Sequence, residues 1–226
     1  MMLRELLRVW PVLNTKRPDQ SFPDWFPQAL QIVSDHRGYS SVLAEQFVEQ
    51  TRAEAGVTDE WTPPPDRPVN ARQFELDMYR SAITTLKEAI AKKQAERPAR
   101  DRAFVASAGT ATKETLNGGR DKVLDSVDSD QAAVGWYRVT DGDPCYFCAM
   151  LASRGIWYKT EASASFHPHD HCGCQPAPAY SRDVELQPVA MEAARIYTAS
   201  TKRYRGKDKT RAFRRAWESR SKGPGS

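Results

Sequence analysis

The residues able to do chemistry are crowded into two short stretches. "DGDPCYFCAM" (Asp141–Met150) and "FHPHDHCGCQP" (Phe166–Pro176) hold all four cysteines and three of the four histidines of a 226-residue chain. Cys145-x-x-Cys148 has the spacing of a metal knuckle, in which two thiolates in a tight turn reach one ion at about 2.3 Å. Asp143-Pro144 favours such a turn. About two dozen residues later, His167-x-His169-x-His171-Cys172-x-Cys174 offers further ligands. Cys172-x-Cys174 is tighter than the usual second knuckle, so His169 competes for a place. The candidate ligands are therefore Cys145, Cys148, His169, Cys172 and Cys174. Zinc is the default ion for sulfur and nitrogen donors. Four such ligands leave no open position, which marks a structural site rather than a catalytic one.

Three catalytic readings compete with this one. Zinc deaminases join an H-x-E string to P-C-x-x-C. Pro144–Cys148 matches the second half, but the only upstream histidine is His36, followed by Arg37 and Gly38. The H-E-x-x-H string of metalloproteases does not occur. An HNH-like metal-dependent nuclease is the alternative function, because Asp170-His171 resembles the start of its metal-binding half. That half also needs a later histidine, and none follows His171.

The elements that must position these residues are mostly helical. Leu3, Leu6, Leu7 and Trp10 share one helical face that Pro11 ends, and that face packs on its own domain or docks onto a partner. "SFPDWFPQ" reads as a proline-punctuated lead-in to a helix over about 28–55, with Tyr39, Val42, Leu43 and Phe47 as its apolar stripe. "WTPPPDRPVN" (Trp61–Asn70) is a linker, and Asn70 caps a helix to about Gln94 with Tyr79, Ile83, Leu86 and Ile90 on one stripe. A further helix covers 100–116, broken at Gly118 and Gly119, and a short one surrounds Val123–Val127. "VGWYRVT" and "GIWYKT" read as strands. Trp136, Tyr146, Phe147 and Trp157 read as packing residues around the knuckle, most simply as core, and Arg138 and Arg154 are weaker candidates for interface charges. A helix runs from Pro188 to about Thr201, and Phe213 and Trp217 mark a helical tail.

The composition suits a chain with a modest core: 40% hydrophobic, 27% charged, 15 prolines. No apolar run approaches the roughly 20 residues that span a bilayer, and Arg4, Glu5 and Arg8 break up the N-terminal segment, so neither a membrane span nor a signal peptide is expected. A reducing compartment then favours metal ligation over disulfides. The net charge of +4 conceals an asymmetry. Ten Lys/Arg against two acids make residues 200–226 +8, leaving −4 for the rest. Lys202, Arg203, Arg205, Lys207, Lys209, Arg211, Arg214 and Arg215 are the candidate contacts to nucleic acid or an acidic partner, with a solvated helix face as the plainer reading.

"GWYRVTDGDPCYFCAMLASRGIWY" followed by "HDHCGCQPAP" resembles the minor capsid proteins of tailed bacteriophages. These are the Mu F-like head morphogenesis proteins, and the likeness is greatest to their actinobacteriophage branch. The shared pattern is C-x-x-C followed by H-x-x-C-x-C, met here at Cys145, Cys148, His169, Cys172 and Cys174 over about 45 residues. The resemblance implies a virion structural protein, assembled in the host cytoplasm and lying in the capsid interior or near the portal. Its partners would be portal or major capsid proteins and packaged double-stranded DNA, with no membrane and no small-molecule substrate. The expectation is an α+β, mostly helical, non-enzymatic protein. It divides into a helical assembly region (1–130), a Cys/His knuckle with structural zinc (131–180) and a basic helical tail (181–226).

Overall fold

In a computed structural model the chain is mostly helical with one small sheet. The structure describes residues 1–158, 166, 168–169 and 172–220, with the backbone alone at 157 and 158. The helices are α1 (Met2–Val9), α2 (Pro18–Glu54), α3 (Ala71–Met78), α4 (Thr85–Ala91), α5 (Glu96–Ser129), α6 (Tyr146–Ala152), α7 (Pro188–Thr201) and α8 (Lys207–Glu218). The strands are β1 (Gly135–Val139), β2 (Trp157–Tyr158) and β3 (Gln175–Ala179), in the order β2-β1-β3. Two compact units divide the chain. The first comprises Met1–Glu45, Pro65–Lys122 and Pro168–Cys172; the second comprises Gln46–Pro64, Val123–His167 and Gly173–Ser226.

The core of the first unit is aromatic. Trp10 packs edge-on against Trp25 and Phe104, with ring centroids 5.3 Å apart in each case, and Phe22 stacks on Phe26 at 5.5 Å. Phe22, Trp25, Phe26, Ala29 and Val33 are buried at helical spacing. This explains a departure from expectation: the stretch expected as a lead-in is helix, with Pro23 and Pro27 inside it. A proline in a helix interior costs about 3 kcal/mol, and four or five buried large side chains at about 1.5–3 kcal/mol each outweigh two of them. On α1, Met2 and Leu6 are buried and Leu3 and Leu7 are exposed, so its inner face packs on its own unit. The stripe expected on α2 is a correction, because Tyr39, Val42, Leu43 and Phe47 are all exposed. The helix is turned so that Arg37, Ser41 and Val48 face inward instead.

Asn70 caps α3 as expected, its Oδ1 accepting from the Gln73 N–H at 3.1 Å. The helix expected to run on is interrupted by a π-helical turn over Tyr79–Thr84. Ile83 and Leu86 are buried, and Ile90 is exposed. The expected break at Gly118-Gly119 is absent, and α5 continues through both. They are glycines for lack of space. A Cβ on Gly118 would fall inside van der Waals contact of the Arg37 carbonyl oxygen, and one on Gly119 would lie 2.9 Å from Ser40 Oγ. The pair is a notch in α5 that α2 crosses at close range.

Buried charge fixes this crossing. Arg37 donates from Nη1 to Glu114 Oε1 (2.8 Å), from Nη2 to Asp121 Oδ2 (2.5 Å), and from Nε to the Arg67 carbonyl of the linker (3.1 Å). Burial pushes the Glu114 carboxyl up, against the pull of Arg37. Lys122 pairs with Asp66 at 2.6 Å and Glu45 at 2.9 Å. Burial opposes its charge, but those two acids hold its pKa above the ordinary lysine value. In the second unit, Arg52 donates to the buried Asp130 (3.0 Å) and to Asp59 (2.6 Å). The proline-rich linker is thus irregular as expected, yet tied down at Asp66 and at the Arg67 carbonyl.

In the second unit β1 is the central strand, antiparallel to both neighbours. β3 was not expected, since "QPAPA" carries two prolines. Its register with β1 runs from Gly135↔Ala179 to Val139↔Gln175. The Ala179 carbonyl accepts from the Val134 N–H at 2.8 Å, so the odd-numbered residues of β3 turn their backbone groups toward β1. Pro176 and Pro178 point theirs away, where no donor is required. Of the second expected strand, Trp157–Tyr158 is strand, and Lys159 and Thr160 lie outside the described residues.

The basic tail is helical and its inner face is core. Phe213 and Trp217 are buried with Ala149, Met150 and Ala193. Trp217 Nε1 donates to the Pro144 carbonyl at 3.1 Å, and the Arg220 guanidinium lies 3.5 Å over the Trp217 ring.

Candidate metal centre

The first cysteine pair is placed by a helix start. Gly142, at φ 99°, turns the chain out of β1, a conformation few other residues adopt. Cys145 is then the N-cap of α6, and its Sγ accepts from the Cys148 N–H at 3.5 Å. Ala149 and Met150 bury the inner face of this short helix, and Trp217 anchors the chain just before it. Cys145 is exposed and Cys148 buried. Their sulfurs lie within 4.8 Å of each other, and so do those of Cys148 and Cys174. Two thiolates on one tetrahedral ion are separated by about 3.8 Å, so the spacing fits a shared metal.

The second pair is placed by β3, which begins immediately after Cys174. A Cβ on Gly173 would lie 3.0 Å from Asp141 Cβ and closer still to its carboxylate. Only glycine lets the C-G-C turn pass Asp141, which accounts for the tight Cys172-x-Cys174 spacing. Cys172 donates its N–H to the His169 carbonyl at 3.1 Å, which ties these two candidate ligands together. The fully buried Arg120 holds Cys172 from α5. Its Nη2 donates to the Cys172 carbonyl at 2.5 Å, and its Nη1 to Asn117 Oδ1 at 3.0 Å.

Two groups of side chains could hold a metal ion: Cys145, Cys148 and His169, and Cys148, Cys172 and Cys174. All five expected ligands are represented, and Cys148 belongs to both groups. No disulfide joins any of the four cysteines. Thiolate and imidazole donors without a carboxylate fit a borderline-soft ion. His167, Asp170 and His171, the last required by the nuclease reading, lie outside the described residues.

Sequence reasoning missed the residues that shape this region. Arg120 and Gly173 act through contacts that no local pattern announces. Arg138, expected as an interface charge, is buried and stacks 3.7 Å over the Phe166 ring. Trp136 is buried against the same ring, with centroids 5.6 Å apart. Tyr146 and Phe147 pack at the edge of the second unit's core, and Arg154 is exposed.

Of the basic candidates, Lys202, Arg203, Arg205, Lys207, Arg211, Arg214 and Arg215 are exposed and Lys209 is half-buried. Arg211 pairs with Asp208 (3.3 Å) and Arg214 with Glu218 (2.7 Å). Tyr204 sits exposed in the turn between α7 and α8, among the remaining cations. Among the described residues no helix is long and apolar enough to cross a membrane.

No curated protein and no solved structure matches this chain. The VG15 protein family matches it over residues 1–204, from α1 through the cysteine region and α7 into the basic turn. With nine-tenths of its length matched, the chain belongs to the VG15 family of phage gene products.

Proposed function

We propose that this protein is a minor capsid, or head morphogenesis, protein of a tailed phage, a non-enzymatic component that assembles beside the portal. The observation that carries the reading is the family match, which takes in the helical region and the Cys/His cluster together. The cluster acts as a structural zinc centre. Three or four sulfur and nitrogen donors close around the ion and brace a sheet of three short strands, too small to stand alone. The α7–α8 turn carries exposed cations and an exposed tyrosine, a surface suited to the phosphates of packaged DNA.

Mass spectrometry of virions purified from the phage that encodes the chain tests the reading. The expected result is the chain in intact particles at a few copies, far below the major capsid protein. Its absence from particles, with abundance confined to the infected-cell lysate, would overturn the assignment.

A further inference from the structure

Arg138 is a buried cation with no acid to neutralise it. It lies in β1, is 2% exposed, and stacks its guanidinium on the Phe166 ring. Its Nε and Nη1 atoms have no hydrogen-bond partner among the described residues, and no carboxylate there pairs with it. The other buried arginines among the described residues are all partnered. Arg37 meets Glu114 and Asp121, Arg52 meets Asp130 and Asp59, and Arg120 meets Asn117 and the Cys172 carbonyl. A charge buried without a partner is strongly unfavourable, and the face of one aromatic ring offsets only part of that.

The strand register shows what lies beside it. Side chains alternate across a strand, and residues paired across two strands share a face. Arg138 pairs with Pro176, and Trp136 with Pro178. The close approach of Gly173 to Asp141 carries this register two places beyond Val139↔Gln175, which sets Cys174 opposite Thr140. Trp136, Arg138, Thr140, Cys174, Pro176 and Pro178 therefore form one face of the sheet, and all six are buried. Cys174 is the diagonal neighbour of Arg138, with their Cβ atoms roughly 7 Å apart, within the reach of an arginine side chain. The Thr140 hydroxyl is committed to Gln187 Oε1 at 3.2 Å. The Cys148 sulfur lies within 4.8 Å of that of Cys174, so a second candidate ligand meets this face.

We infer that Arg138 is the counter-charge of the metal–thiolate centre. A divalent ion held by three or more thiolates carries a net negative charge, which is what the buried guanidinium lacks. The effect is reciprocal: Arg138 strengthens ion binding, and the bound ion relieves the cost of burying Arg138. This inference rests on the zinc reading of the cluster.

Two variants of the full chain test it. Arg138→Met keeps the bulk and removes the charge; Arg138→Lys keeps the charge. Zinc content is read by elemental analysis, and zinc affinity by competition with a chromophoric chelator. Arg138→Met should weaken zinc binding by about 10–100-fold, and Arg138→Lys should retain most of the affinity. Cobalt-substituted wild type and Arg138→Met should show the same sulfur-to-metal charge-transfer intensity, because the donors are unchanged. Thermal melts add a sign: Arg138→Met should lower the melting temperature of the zinc-loaded chain and raise or preserve that of the metal-free chain. Equal affinity in wild type and Arg138→Met overturns the inference and leaves the zinc reading standing, as does equal weakening by Met and Lys. An Arg138→Met chain that is destabilised in both forms, or does not fold, makes Arg138 a packing residue on Phe166 and overturns it too. A folded wild type that binds no zinc refutes the zinc reading itself and this inference with it.

Discussion

Cys148 is the side chain on which the candidate metal centre turns. It is buried, it sits at the start of α6, and it belongs to both groups of candidate ligands. Replacing Cys145 removes one donor from one group, whereas Cys148→Ser removes a donor from each. The expected outcome is loss of one equivalent of bound zinc by elemental analysis and a fall in melting temperature on the order of 10 °C. Chelation of the wild-type protein should reproduce it. A folded wild-type protein that holds no metal would refute the zinc centre. Asp66 gives a second prediction. Hydrogen bonds from Lys122 and then Ser41 hold its pKa below the ordinary aspartate value. A carboxylate depressed in the folded state contributes stability that is present above its unfolded pKa of about 3.9 and is lost as pH falls through the folded value. Thermal melts should therefore drop between pH 5 and pH 2, and Asp66→Asn should flatten that drop. At this scale the Cys/His cluster was legible because metal binding needs particular atoms at particular spacings. Arg120, Gly173 and the burial of Arg138 were not, because each is set by a neighbour far away in sequence.

The helices tell a different story from their composition. Gly118-Gly119 and Pro23/Pro27 are local breakers, and local rules placed boundaries at both. Tertiary packing overrides them, through the close crossing of α2 in one case and the aromatic core in the other. Glycines in these helices should therefore respond oppositely to the same substitution. Gly118→Ala collides with the Arg37 backbone and should destabilise by about 2 kcal/mol. Gly38→Ala meets nothing within 4 Å and should stabilise by about 0.5–1 kcal/mol through helix propensity. Chemical denaturation of the two variants checks this, and equal effects would remove the notch argument. β1, α7 and α8 were legible because their patterns agree with their packing. The α2 stripe was misread because periodicity identifies an apolar face without saying which molecule covers it.

Over the whole molecule, the basic segment is part of a folded unit rather than a free arm. Phe213 and Trp217 belong to the second unit's core, so truncating residues 200–226 would disrupt the unit that carries these cations. The informative variant keeps the core and replaces Lys202, Arg203, Arg205 and Lys207 with glutamine. If these four meet duplex phosphates, the log–log salt slope of DNA affinity should shrink by up to about 0.9 per contact. An unchanged slope would assign the cations to solvation or to an acidic protein surface.

The prolines of β3 bear on how a protein of this kind associates. A sheet that ends on a bare strand invites a foreign strand to hydrogen-bond along it. Pro176 and Pro178 alternate on the side facing away from β1, so the outer rim of β3 lacks the donors such an intruder would need. That edge of the sheet is closed to extension by one atom type missing at two positions. Strand pairing, which accepts almost any extended peptide, is thereby denied along β3.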